Sequence, residues 1–150
     1  MFRLSTKGRY SVRAMFDLAL HYDEGLVSLK SIAERQEISE HYLEQLIAAL
    51  KKAGLVKSIR GAQGGYMLSR EPSKITIGEI LRALEGSLSP SECIDDIEKV
   101  DCPRAEFCVT RKVWEKVKEA IENVVDSVTL QDLVDYYKKM TADESYMFYI

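Results

Sequence analysis

Apolar residues recur at helical spacing along most of the chain and at strand spacing in one short stretch. Val12, Met15, Phe16 and Ala19 form a stripe behind a capping Ser5, predicting a first helix from about Thr6 to Tyr22, with Gly25 ending that region. Ser28 suits the cap of a short helix through LKSIAERQ, and EIS makes a turn. Leu43, Leu46, Ile47 and Leu50 then recur at i, i+3, i+4 and i+7, with Ser39 as N-cap and Gly54 just past the end. LVKSI and YML are β-prone runs on either side of the tip RGAQGG. Two helices at helix-turn-helix spacing followed by a hairpin predict a winged helix-turn-helix.

Beyond the wing, Thr76 and Glu79 form a T-x-x-E capping box that opens a helix with Ile77, Ile80, Leu81 and Leu84 inside and Gly86 as its stop. An irregular segment follows. Val113, Val117, Ile121, Val124 and Val128 then define a long helix whose stripe is broadened by Trp114, Ala120 and Val125. Such a wide apolar face outside the compact module predicts a homodimer, matching the two half-sites, roughly 34 Å apart, that helix-turn-helix proteins read. Thr129 and Asp132 cap a last helix through Tyr137. The expected fold is mainly α, divided into a DNA-binding domain at 1–86, a cysteine loop at 87–108, and a dimerisation helix with a C-terminal helix and tail at 109–150.

The chain has 150 residues, 46% of them hydrophobic, enough for a real core. No apolar run approaches the roughly 18 residues that span a bilayer, and MFRLSTKGRY lacks an apolar signal core, so a cytoplasmic protein is expected. The net charge of −3 hides an asymmetry: residues 1–70 hold 11 Lys/Arg against 7 Asp/Glu (+4), and residues 71–150 hold 10 against 17 (−7). A positive first half suits phosphates.

Residue types on the predicted surfaces point to double-stranded DNA. Ser39, His41 and Tyr42 begin the recognition helix, where hydroxyls and a helix N-terminus meet phosphates and base edges, although Tyr42 also suits the core side. Gln45, one turn on, can pair with adenine. Arg60, beside Gly61 at the wing tip, can enter a minor groove or neutralise a phosphate. Lys7, Arg9 and Arg13 can add backbone contacts. Glu44 is the exception, since a carboxylate repels phosphate and accepts only from donors such as cytosine N4.

Cys93, Cys102 and Cys108 follow a C-x8-C-x5-C spacing in the irregular segment. Thiolates gathered on a loop suit a soft metal centre; three unrelated thiols are the alternative. Zinc is disfavoured by the absence of C-x2-C knuckles. An enzyme is excluded: the only histidines, His21 and His41, lie in the DNA-binding half, and no metalloprotease or phosphate-binding glycine motif occurs.

RLSTKGRY, LKSIAERQ, IS-x2-YLEQL, KAGLVKSIRGAQGGY and TIGEILRALEG, covering almost the entire chain with the three cysteines, resemble the IscR, NsrR and CymR group of bacterial winged-helix regulators. The IscR-like resemblance implies a [2Fe-2S] cluster held by Cys93, Cys102 and Cys108, whose status selects promoters and controls cluster-biogenesis genes. It also implies DNA contacts at Ser39, His41, Tyr42, Gln45 and Arg60, with Glu44 tuning sequence choice. Two features depart from the pattern. The first cysteine gap is eight residues where the IscR pattern has five, and Arg111 stands at the family's histidine ligand. A guanidinium offers no lone pair, so the fourth ligand lies open among Asp101, Glu106, Glu92, another residue or an exogenous molecule. The terminal YMFYI resembles CymR, whose relatives need no cluster and bind O-acetylserine sulfhydrylase; Ile150 would be the ligand there. Packing of Tyr146, Met147, Phe148, Tyr149 and Ile150 on the dimer is the simpler reading.

Overall fold

The computed structural model describes residues 3–95 and 102–147, apart from the Tyr146 side chain. Among the described residues, six α-helices and one hairpin follow in the order α1 (Thr6–Leu20), α2 (Leu29–Gln36), α3 (Glu40–Lys52), β1 (Val56–Ile59), β2 (Gly65–Leu68), α4 (Ile77–Glu85), α5 (Arg111–Ser127) and α6 (Leu130–Met147). Local chemistry sets most of the starts. The Ser5, Ser28 and Ser39 hydroxyls each accept a backbone N–H three residues on, and Thr76 and Glu79 complete a reciprocal capping box.

The core lies where α1, α2, α3 and α4 meet. Met15, Leu18, Ile32, Leu43, Ile47, Leu50, Ile75 and Ile80 are essentially inaccessible, and Leu130 and Val134 of α6 join them. The wing is antiparallel, pairing Val56 with Leu68, Lys57 with Met67, Ser58 with Tyr66, and Ile59 with Gly65. Its other edge is closed by Val27, which exchanges two backbone hydrogen bonds with Tyr66 at 2.9 and 2.8 Å.

Three boundaries differ from expectation. Helix α1 ends at Leu20, because His21 leaves helical geometry and a short 3-10 turn covers Tyr22–Glu24. Val128 is extended and lies beyond α5; its carbonyl accepts from Ile77 N–H at 2.9 Å, tying the start of α4 to the entry of α6. Helix α6 continues ten residues past the expected Tyr137, to Met147.

Helix α5 has no buried residue, and its two sides differ. At about 100° per residue, Arg111, Glu115, Lys118, Glu122 and Asp126 fall along one seam. That seam meets the rest of the chain: Lys118 pairs with Asp95 at 3.0 Å, and Arg82 of α4 donates to both Asp126 oxygens at 2.6 and 2.9 Å. Gly78 permits the approach, since a Cβ there would lie 1.8 Å from an Asp126 oxygen. Opposite the seam, Val113 and Val124 are 51% and 63% exposed, whereas Trp114, one turn from Arg111 and Lys118, flanks the seam at 41% exposed.

Candidate nucleic-acid interface and cysteine loop

The reading head is fixed from beneath by a buried carboxylate. Asp17 is 1% exposed and accepts two hydrogen bonds from the Arg35 guanidinium, at 2.9 and 2.7 Å, and one from the Gln36 amide at 3.1 Å. The hydrogen bond from Arg35 to Asp17 raises the guanidinium pKa further, despite some desolvation. Because Arg35 and Gln36 end α2, this cluster sets the angle at which α2 delivers the chain into α3. The turn itself passes through Glu37 at φ 53°, a left-handed conformation in a residue with a Cβ.

On that frame, α3 presents a polar face. Ser39 caps it by accepting from Tyr42 N–H at 3.3 Å, and His41, Glu44 and Gln45 are exposed, with His41 Nε2 and Gln45 Nε2 3.3 Å apart. Tyr42 is half-buried and edge-on to Tyr10, with ring centroids 6.0 Å apart, so its ring packs on α1. Arg60 and Gly61 are exposed in the wing turn, Gly61 at φ 120°. Lys51 near the end of α3 donates to Ser58 of β1, joining recognition helix and wing.

Lys7 and Arg9 are exposed on α1, and Arg9 borders a groove with Leu4, Val12, Ile77 and Leu81. Arg13 is already engaged: it stacks on Tyr10 at 5.1 Å and donates to the Gln36 carbonyl. Sequence reading missed Asp17, Arg35 and Gln36. The available signal was a carboxylate set inside the apolar stripe of α1, between Phe16 and Leu18.

The cysteines lie at both ends of the loop before α5. Cys93 is in a short 3-10 turn, Glu92–Ile94, with Ser91 Oγ 3.1 Å from its sulfur; Cys102 is exposed. Cys108 sits just before α5, where Thr110 provides no side-chain cap and its hydroxyl lies 3.2 Å from the Cys108 sulfur. The Thr110 hydroxyl first, then the Arg111 backbone N–H, holds the Cys108 thiol below the usual thiol range. Such a sulfur suits a soft metal.

Arg111 pairs with Glu115 at 3.1 Å and supplies no donor lone pair. Among the described residues no three His, Cys, Asp or Glu side chains are grouped as a metal site. Glu92 and Glu106 are exposed; Asp101 lies outside the described residues, as do the Tyr146 side chain and Phe148 to Ile150. Three thiols are donors of the type that soft metal centres take, but the described residues do not gather them and no fourth donor joins them.

Comparison with known proteins is consistent across sequence and structure. Residues 4–136 match the Rrf2 family, described as an iron-dependent transcriptional regulator. The chain is 49% identical to the transcriptional regulator CymR of Bacillus subtilis over 148 residues, covering 99% of each protein. It is 43% identical to IscR of Serratia proteamaculans over 133 residues, 89% of this chain and 79% of that one. The solved structure of T. potens IscR superposes with a TM-score of 0.75 and 59% identity, over 92% of this chain and 90% of that one.

Proposed function

The chain belongs to the Rrf2 family of transcriptional regulators, and from that premise we propose a cytoplasmic, homodimeric DNA-binding regulator that senses a [2Fe-2S] cluster and controls cluster-biogenesis genes. Cys93, Cys102 and Cys108 would hold the cluster. The observation that carries the sensing element is the placement of Cys108: its sulfur meets the hydroxyl of Thr110 and the first backbone N–H of α5, which favours the thiolate. When bound, a cluster supplies an iron- and oxidant-dependent centre at the start of the helix that would form the dimer. The chain's own residues do the rest. Ser39, His41, Tyr42 and Gln45 would meet the major groove, Arg60 with Gly61 the flanking groove, Lys7 and Arg9 the backbone, and Glu44 would reject sites lacking a donor.

The decisive experiment is an absorption spectrum with iron and sulfide analysis of anaerobically purified protein, repeated with each cysteine changed to alanine. Visible absorbance with iron and sulfide, lost in each variant, is expected. Colourless, iron-free protein that still binds DNA would overturn the cluster reading. A second reading would then stand, motivated by the match to CymR over 99% of both chains. It is a cluster-free regulator of cysteine metabolism acting with O-acetylserine sulfhydrylase, and a pull-down with and without Ile150 tests it.

A further inference from the structure

The wing exposes an apolar residue beside its arginine. Ile59 is 56% exposed although it closes β1. Strand alternation sets its direction: Val56 is buried and Ser58 half-buried on the inner face, while Lys57 and Ile59 are exposed on the outer one. Across the hairpin, Ile59 faces Gly65. A Cβ on Gly65 would lie 2.7 Å from the Val27 carbonyl oxygen, so no side chain can stand opposite Ile59 and cover it. Lys51, Lys57, Ile59 and Met67 together line a shallow hollow.

The surroundings decide what that hollow meets. Residues 45–70 include Lys51, Lys52, Lys57, Arg60 and Arg70 and no Asp or Glu. Among the described residues, Arg70 pairs with Glu79, but the salt bridges formed by lysine and arginine involve neither Lys57 nor Arg60. An apolar side chain ringed by uncompensated cations matches duplex DNA, whose deoxyribose walls are apolar and whose groove edges carry phosphates.

We propose that Ile59 is a DNA-contacting residue that packs on the deoxyribose wall beside Arg60, with Lys57 on the flanking phosphate. The inference rests on the assignment of the wing to DNA. Apolar and ionic contacts leave different marks, because only a neutralised phosphate releases counterions and contributes to the salt dependence of binding.

The test uses the full-length protein and a duplex that the wild type selects from a random pool, titrated by fluorescence anisotropy across a salt series. Ile59→Ala is expected to weaken binding about tenfold at every salt concentration with the slope unchanged. Ile59→Met, which keeps an apolar side chain, should retain most of the affinity. Arg60→Ala should instead reduce the slope by about one. Wild-type affinity in an Ile59→Ala protein with an unaltered circular dichroism spectrum would overturn the inference and assign the residue to a protein contact. A fall in slope equal to that of Arg60→Ala would overturn it too, since the loss would be ionic. If the wild type selects a duplex but Arg60→Ala binds it with wild-type affinity and slope, the wing assignment itself fails.

Discussion

Removing the charge from Asp17 should loosen the frame that positions the recognition helix. In Asp17→Asn one oxygen becomes an amide donor, so a group that accepted three hydrogen bonds faces the Arg35 and Gln36 donors with one acceptor. Stranding a buried charge costs about 3–5 kcal/mol. Arg35, however, is 38% exposed and can turn to water, which keeps the loss below that range. A single neutral hydrogen bond is worth about 0.5–1.5 kcal/mol, and more is lost here. The expected destabilisation is therefore about 2–3 kcal/mol, a fall in melting temperature of roughly 5–10 °C for a chain of this size. Urea and thermal melts of full-length protein at one fixed concentration measure it, since dimerisation would make stability concentration-dependent. Arg35→Ala and the double variant complete a cycle. A loss under about 1 kcal/mol, or strict additivity of the two substitutions, would refute the coupling of α1 to α2 through this pair.

Three other perturbations test separate contacts. Glu37→Gly removes a Cβ from a left-handed turn and should stabilise by about 0.5–1 kcal/mol in urea denaturation; a loss of stability would show that the Glu37 side chain contributes more than its backbone conformation costs. Gly78→Ala pits helix propensity, a gain of about 1 kcal/mol, against collision with the Asp126 carboxylate; net destabilisation of about 1–3 kcal/mol is expected, and a net gain would mean that α5 yields freely. Acid titration should reveal two carboxylates that anchor α4, Glu79 in its first turn and Asp126 of α5. Burial works to raise Glu79, but the Thr76 N–H and Arg70 bring it below its ordinary value, and Arg82 holds Asp126 low. Both contribute stability that is present above the ordinary carboxylate range, about pH 4, and lost as pH falls through the lowered folded values. Asp126→Asn should flatten that loss, and an unchanged acid profile would exclude the pair.

Legibility followed locality. Ser5, Ser28, Ser39 and Thr76 could be read as caps because each acts within three residues of itself. The wing was readable for the same reason: its turn and alternation lie within one hairpin. The end of α6 was not, because apolar periodicity reports packing and, among the described residues, α6 buries none after Val134. It continues on helix propensity, with Thr141 Oγ1 donating back to the Tyr137 carbonyl. Asp17 was hidden for the opposite reason, its partners standing 18 and 19 residues away on another helix. Among the candidate DNA residues, the exposure of His41, Glu44 and Gln45 was foreseeable from spacing. The engagement of Arg13 with Tyr10 and Gln36 was not, since an exposed-looking arginine carries no sequence mark of its partner.

The physical ground for the proposed homodimer lies in how little holds α5 to its own chain. Ordering a backbone residue costs about 1–2 kcal/mol, and α5 orders 17 residues without one buried side chain. Its ion pairs are half-exposed, Arg82 at 37% and Asp126 at 44%, and the apolar Val117, Ile121 and Val125 are only half-buried. Pairs of that kind contribute about 0–1 kcal/mol each, well short of the ordering cost on their own. They fix orientation, with Gly78 setting the distance, and they leave Val113 and Val124 facing away from the chain. Burial of that exposed face would add stabilisation, and a second copy presenting the same face can provide it symmetrically. Val124→Glu places a charge there without touching the seam. It should convert the dimer to a monomer in sedimentation velocity, and a dimer of undiminished affinity would show that α5 is stabilised some other way.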